Sequence, residues 1–119
     1  MATRKDNLPS APHFMMVTFE IAPEDEAEFN EIYDTEHVPT LLKLDGLLGV
    51  IRFRDAKKNA KGWLVYSALY LMTKPDFHET PEWSAASEVG RWSPIMRPKL
   101  KSRDRRSGTV VASYGKLGK

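Results

Sequence analysis

The sequence predicts an α+β domain in which one antiparallel four-stranded sheet carries two helices on one face. Three observations support this fold class. Four runs are rich in β-branched and aromatic residues, two stretches between them carry apolar residues at helical spacing, and glycines or prolines separate these segments. A chain of 119 residues, 41% of them hydrophobic, is long enough to bury one core.

The first strand is expected over residues 13–22 and the first helix over residues 23–46. The helix opens with Pro23 and a group of acidic residues, which suit an N-terminus because the helix dipole favours negative charge there. Apolar residues then recur at helical spacing until Gly46, a residue typical of a helix end.

One proline is out of place in this first helix. Tyr33, His37 and Leu41 lie four residues apart and share one helical stripe, and Pro39 follows two positions after the histidine. Because a residue that precedes proline avoids the α region, Val38 should leave it and open the hydrogen-bond ladder beside the imidazole.

The second half of the chain repeats the strand and helix signals. A strand over 47–56, a polar turn over 57–62 and a strand over 63–72 predict a hairpin. A helical region over 75–92 follows, and a last strand is expected within 101–114, including "TVVASY". The order β-α-β-β-α-β is the ferredoxin-like pattern.

The first and third strands are apolar on both faces, and strands of this kind must be covered on both faces. Two helices cover only one side of such a sheet. We therefore expect a homodimer in which two sheets pack face to face and enclose a barrel-like interior. The alternative is that the segment 1–12, which has the character of a flexible N-terminal arm before a single domain over 13–119, covers part of the second face.

Composition argues against several classes of protein. The chain has no cysteine, so disulfides and thiolate chemistry are not expected. No run approaches the length of a membrane span and no apolar leader is visible, so a cytoplasmic protein is the default expectation. A basic segment over 97–106 has neither interleaved aromatics nor a recognition helix, which favours a charged strand edge over a nucleic-acid site.

The segment 28–54, "EFNEIYDTEHVPTLLKLDGLLGVIRFR", resembles the dimeric α+β barrel superfamily and, within it, the EthD-like group. His37-Val38-Pro39 occupies the place of that group's His-x-Pro motif, and Asp45-Gly46 replaces its usual Pro-Gly turn. The segment 80–92 is also similar to the second helix of relatives. The resemblance implies the ferredoxin-like fold, the dimer, and a ligand site in the barrel or between the helices and the sheet.

The same resemblance implies several activities. Members of the superfamily include cofactor-free quinol monooxygenases, muconolactone-type isomerases, polyketide cyclases, haem proteins and stress-response proteins. The first expectation is a cofactor-independent lyase, isomerase or cyclase that uses acid–base chemistry on an aromatic, lactone or polyketide-like metabolite. The alternatives are a quinol-type monooxygenase and a non-catalytic protein that binds an apolar metabolite.

Three neighbouring residues are the predicted catalytic group. His37 is expected to act as general base or acid, because an imidazole titrates near neutral pH. Tyr33 would polarise the substrate, and Glu36 would orient the imidazole or tune its pKa. Alternatively, His37 only satisfies the broken helical turn and Tyr33 is a core aromatic.

Six further residues are candidates for substrate binding. Arg52 would meet an anionic group, unless it only protects a strand edge. His13 occupies the strand position at which polyketide cyclases can place a histidine, and His78 lies at the same end of the sheet. The complete set is His13, Arg52, Tyr66, Tyr70, His78 and Trp83. The histidine spacings do not predict a metal site; haem bound by His37 or His78 is an open alternative.

Overall fold

The computed structural model describes residues 13–115. The predicted N-terminal arm, residues 1–12, lies outside the described residues, as do the last four residues of the chain. The proposed division into an arm and a domain over 13–119 therefore stays a prediction.

Four antiparallel strands form one sheet in the order β2-β3-β1-β4. The strands are β1 (His13–Ile21), β2 (Leu47–Arg54), β3 (Leu64–Met72) and β4 (Ser102–Thr109). The central pair runs from His13 opposite Met72 to Ile21 opposite Leu64. This order confirms the ferredoxin-like fold, in which the two halves of the chain interleave their strands.

The helical segments pack on one face of this sheet. They are α1 (Glu26–Ile32), α2 (Val38–Leu41) and α3 (Pro81–Ser87), with π-helical turns at Tyr33–His37 and Trp92–Met96 and 3₁₀ turns at Pro23–Asp25, Phe77–Glu79 and Arg97–Lys99. The Thr80 hydroxyl accepts a hydrogen bond from the Trp83 amide and so caps the N-terminus of α3.

The expected break in front of Pro39 is wrong. Val38 keeps helical angles, with φ −64° and ψ −48°, and its amide donates to the carbonyl of Tyr33 across a π-helical turn. Pro39 then lies in the first turn of α2, where the missing N–H is tolerated. The chain thus widens the helix by one residue instead of opening it, and π-helical turns of this kind often occur at functional sites.

The last strand is shifted from the part of the sequence that is most apolar. Arg103 to Gly108 pair along β1, whereas "TVVASY" contributes only Thr109. Among the described residues the ladder with β1 ends where His13 pairs with Thr109. The residues of β4 are therefore those that pair with β1, and they are not the most apolar residues of this segment.

The core lies between the sheet and the helical layer. Its strand residues alternate along β1 and β3, and the largest buried side chains include Tyr33, Tyr70 and Phe29. On the opposite face of the sheet, Ile51 and Phe53 are 42% and 43% exposed. Within residues 13–115, no helix has the length and apolar character needed to cross a bilayer.

Candidate functional site

A small cavity lies between the sheet and the helical layer, on the side of β4. Its volume is about 40 Å³, which is room for a few water molecules. It is lined by Met15, Val17, Phe19, Tyr33, His37, Tyr70, Trp83, Ser87, Trp92, Arg103 and Arg105. The aromatic side chains of this set are buried and the two arginines are exposed, so the cavity reaches the surface at its arginine end.

His37 is brought into this cavity by the π-helical turn. The imidazole is 5% exposed and stacks on the Trp92 indole, with ring centroids 4.4 Å apart and an interplanar angle of 24°. The Tyr33 ring makes an edge contact with the same imidazole, with centroids 5.0 Å apart. The Nδ1 atom is buried and has no hydrogen-bond partner among residues 13–115.

Burial controls the charge of this imidazole. Removal from water lowers the pKa of His37 to about 3, and the nearby Arg97 guanidinium acts in the same direction. The imidazole is therefore neutral at physiological pH, the form that can accept a proton. A negative charge brought into the cavity would favour the imidazolium and raise this pKa.

Two phenols lie beside the imidazole. The hydroxyl groups of Tyr33, on the π-helical turn, and Tyr70, on β3, share a short hydrogen bond inside the core. Burial raises the pKa of both groups, and for Tyr33 the neighbouring Tyr70 raises it further. Both phenols are thus protonated at neutral pH. Because one hydroxyl donates its proton within the pair, the proton of the other hydroxyl is available to a different acceptor.

Two indoles complete the aromatic wall of the cavity. Trp83 on α3 makes edge contacts with Tyr70 and with Phe77, at centroid distances of 5.2 and 5.8 Å. Trp92 makes a perpendicular contact with Tyr33 at 5.1 Å. An apolar wall with a few polar groups is the usual composition of a small-molecule site.

The π-helical turn that begins at Trp92 is held against the π-helical turn that ends at His37. Glu36 accepts hydrogen bonds from the backbone amide of Arg91 at 2.9 Å and from its Nε at 2.6 Å. These bonds lower the pKa of Glu36, and Arg91 also reaches Glu31 at 2.6 Å. The Glu36 carboxylate therefore bonds to the residue next to Trp92, so it positions the stacked pair of rings rather than the imidazole proton.

This arrangement predicts different costs for two glycine substitutions. Gly90 and Gly62 both have positive φ, of +77° and +83°, and alanine in that conformation costs about 1–2 kcal/mol. A Cβ at Gly90 would also lie 2.7 Å from Oε1 of Glu36, whereas one at Gly62 meets nothing within 4 Å. Gly90→Ala should therefore lose roughly 1 kcal/mol more than Gly62→Ala in urea unfolding. Equal losses would mean that Glu36 is free to move.

Two of the predicted substrate residues lie away from the cavity. The Arg52 guanidinium is 4.7 Å from the centroid of the Tyr33 ring but is bonded to Asp34 at 2.5 Å and Asn30 at 2.8 Å. Tyr66 donates to the carboxylate of Glu26 at 2.5 Å. Both side chains connect the sheet by hydrogen bonds to α1 or to the turn after it. Neither side chain lines the cavity.

The other two histidines are also separate from His37. Nδ1 of His13 and of His78 is buried without a hydrogen-bond partner in the described part of the chain. His78 lies in a groove of about 210 Å³ with Glu79, Arg105, Arg106 and Ser107, and burial lowers its pKa. Across residues 13–115, no three histidine, aspartate or glutamate side chains form a group that could hold a metal ion.

The cavity also contains residues outside the predicted site. The sequence around Trp92 fits either an ordinary helix end or the mouth of a pocket, and the basic segment fits a charged strand edge. Arg103 and Arg105 are two positions apart, and that spacing places both side chains on one face of a strand. The alternation along the strand could have predicted that Arg103 and Arg105 share a face. Whether that face lies toward the helices depends on the register of β4 with β1.

Comparison of the sequence with known proteins gives no match to a family model and none to a curated protein. Solved structures do match. A Bacillus cereus protein with a provisional assignment as an antibiotic biosynthesis monooxygenase has a TM-score of 0.62 at 15% identity, covering 89% of this chain and 97% of that one. An EthD family protein from Bacillus halodurans has a TM-score of 0.54 at 19% identity, covering 81% and 96%.

A third match is described as a dimeric ferredoxin-like protein of unknown function. It comes from Thermobifida fusca and has a TM-score of 0.55 at 12% identity, covering 87% of this chain and 95% of that one. At these identities the likeness concerns the fold. The fold implied by the resemblance to the dimeric α+β barrel superfamily and its EthD-like group is confirmed.

Proposed function

We propose that this ferredoxin-like chain is a small enzyme that moves a proton on an aromatic, lactone or polyketide-like molecule, as a lyase, isomerase or cyclase. The observation that carries the proposal is the meeting of a neutral, unpartnered imidazole and two protonated phenols in one aromatic cavity of the described chain. Perturbed titratable groups that converge on a cavity are typical of acid–base sites.

In the proposed reaction, His37 removes a proton from the substrate and the electron pair moves onto a substrate oxygen. The Tyr33–Tyr70 pair donates a hydrogen bond to that oxygen, whose negative charge grows as the proton leaves. The negative charge stabilises the imidazolium next to it, which offsets the low pKa of His37 in the empty cavity. The imidazolium then returns the proton to another atom or to a leaving group.

We propose that the reaction needs no resident cofactor, because the bond changes are proton transfers. A cavity of about 40 Å³ is also far smaller than a haem. A single aromatic ring needs more space than this, so substrate entry requires the exposed Arg103 and Arg105 side chains to move away from the aromatic wall.

Proton exchange tests the proposal even when the complete reaction is unknown. The protein is incubated in D₂O with a panel of hydroxy-aromatic compounds, lactones and 1,3-dicarbonyl compounds, and loss of substrate C–H signals is followed by NMR. The proposal expects exchange at one position of at least one compound, faster than in buffer alone. A compound that binds in the cavity without any catalysed exchange would argue for a binding protein.

A quinol-type monooxygenase is the second candidate function. It is favoured by the name of the Bacillus cereus neighbour, and it would begin with the same removal of a proton by His37. The deprotonated substrate would then react with O₂, one oxygen atom entering the ring and the other leaving as water. Oxygen uptake in step with substrate loss separates this reaction from an isomerase or lyase, which consumes no O₂.

We also propose that the chain forms a symmetric homodimer through the sheet face opposite the helices. That face carries partly exposed apolar side chains from strands β1, β2 and β3: Phe14, Met16, Ile51, Phe53, Val65 and Leu69. A contiguous apolar face of this kind is rarely left open to water. Two proteins of the same fold are described as dimeric, which agrees with this arrangement.

Sedimentation tests the dimer directly. At micromolar concentration the protein should sediment as a dimer, and Phe53→Glu should shift it toward monomer because a buried carboxylate without a partner is costly. Lys57→Glu, in the turn after β2, is the matched control and should leave the dimer intact. A wild-type monomer at that concentration would contradict the proposal.

A further inference from the structure

We infer that the cavity takes a ligand with an anionic group, a carboxylate or an enolate, which Arg103 and Arg105 bind at its mouth. This inference rests on the proposed function, because it names the class of substrate for the same cavity. It extends the proposal from where a proton moves to what holds the molecule in place.

The two arginines point to the cavity because of their place in the sheet. Arg103 pairs opposite Phe19 and Arg105 opposite Val17, and both of these β1 residues line the cavity. Arg106, one position further, pairs opposite Met16, whose side chain is on the other face of the sheet. The alternation of the strand thus places two guanidinium groups beside the aromatic wall.

Neither guanidinium has a carboxylate partner within residues 13–115. Four other arginines of the described chain do have one: Arg52 with Asp34, Arg54 with Glu26, Arg91 with Glu36, and Arg97 with Glu88. Arg52, the residue that the sequence suggested for an anionic group, is therefore already neutralised. Arg103 and Arg105 are the cavity-lining cations that are free to bind an anion.

Their mutual repulsion supports the same conclusion. Partial burial of the Arg103 guanidinium and the positive charges of Arg105 and Arg97 lower the pKa of Arg103, so this end of the cavity holds an excess of positive charge. A planar guanidinium binds a carboxylate through two parallel hydrogen bonds. An anion bound there would relieve the repulsion and bring its ring, if aromatic, against Trp83 and Trp92.

Benzoate and benzamide test the inference, because they share a shape and differ in charge. Binding is measured by calorimetry and by NMR shifts of the Trp83 and Trp92 indole N–H signals. Benzoate should bind about tenfold or more tightly than benzamide, because a hydrogen bond to a charged group is stronger than one to a neutral group. Arg103→Gln/Arg105→Gln should abolish this preference, and Arg103→Lys/Arg105→Lys should retain part of it.

A double variant in the turn between β2 and β3, Lys57→Gln/Lys61→Gln, is the control because it removes the same charge from exposed positions. It should keep the wild-type preference. Equal binding of benzoate and benzamide, no benzoate binding at millimolar concentration, or a preference that survives in the Arg→Gln variant would each overturn the inference. Catalysed proton exchange on neutral compounds would still stand in those cases, so the two proposals fail separately.

Discussion

Replacement of His37 by Gln should lower catalysed proton exchange by about 10²–10⁴-fold, the usual contribution of a positioned general base. Gln keeps a polar side chain of similar length but cannot take up the proton. The imidazole it replaces lies between Trp92 and Tyr33 with Nδ1 unpartnered, so no other base among the described residues lining the cavity is a neutral proton acceptor. The rate is measured per folded molecule by loss of the substrate C–H signal in D₂O.

Tyr33→Phe and Tyr70→Phe provide the comparison for this variant. Each removes one hydroxyl of the shared hydrogen bond, so each should slow exchange while leaving His37 in place. If His37 has only a structural role, His37→Gln would cost about 1–2 kcal/mol of stability and leave exchange per folded molecule unchanged. That outcome would refute the catalytic role.

The second large effect is a loss of stability in mild acid that depends on His37. Its pKa is about 3 in the folded protein and about 6.5 in the unfolded chain, so between these values the unfolded chain binds more protons. Above pH 6.5 the titration of His37 therefore costs the folded protein no stability. As the pH falls from 6.5 toward 3, the free energy of unfolding decreases. The loss should reach about 2 kcal/mol by pH 5 and up to about 5 kcal/mol near pH 3.

The groups around the imidazole determine this behaviour. Tyr33 and Tyr70 stay protonated and uncharged throughout the range, and Arg97 stays positive and disfavours the imidazolium. The cations Arg103 and Arg105 line the same cavity. Glu36 is adjacent in the chain, but its carboxylate faces Arg91. Among the described residues, no carboxylate therefore lines the cavity to stabilise the charged ring.

Urea unfolding at pH 7 and pH 5 measures the loss. Both points lie above 4.5, the ordinary pKa from which those of Glu26, Glu36 and Glu88 are lowered, so these carboxylates contribute little to the difference. His37→Gln should remove most of the difference between the two pH values. His78→Gln is the control, because burial also lowers the pKa of His78 but less deeply. A wild-type protein with equal stability at pH 7 and pH 5 would show that His37 titrates normally.

Much of the fold was determined by the sequence through local periodicity. Strands β1, β2 and β3 lie where alternation and β-branched residues predicted them, and the segment order alone specified the ferredoxin-like sheet. The stripe through Tyr33 and His37 also predicted that phenol and imidazole would be neighbours. Such inferences succeed because they depend on residues within two turns or one strand of each other.

Tertiary structure decided what depends on distant partners. Pro39 predicted a broken helix, but the chain stays helical through a π-helical turn, and the side chains of Tyr33, His37 and Leu41 on these turns are buried. Glu36 pairs with Arg91, 55 residues away, and the Arg52 guanidinium donates hydrogen bonds to Asp34 and Asn30. The register of β4 on β1 then turns Arg103 and Arg105 toward the aromatic cavity. Residue type and spacing indicate which chemistry a side chain can perform. Only long-range pairing determines which charged side chains are neutralised and which of them face a cavity.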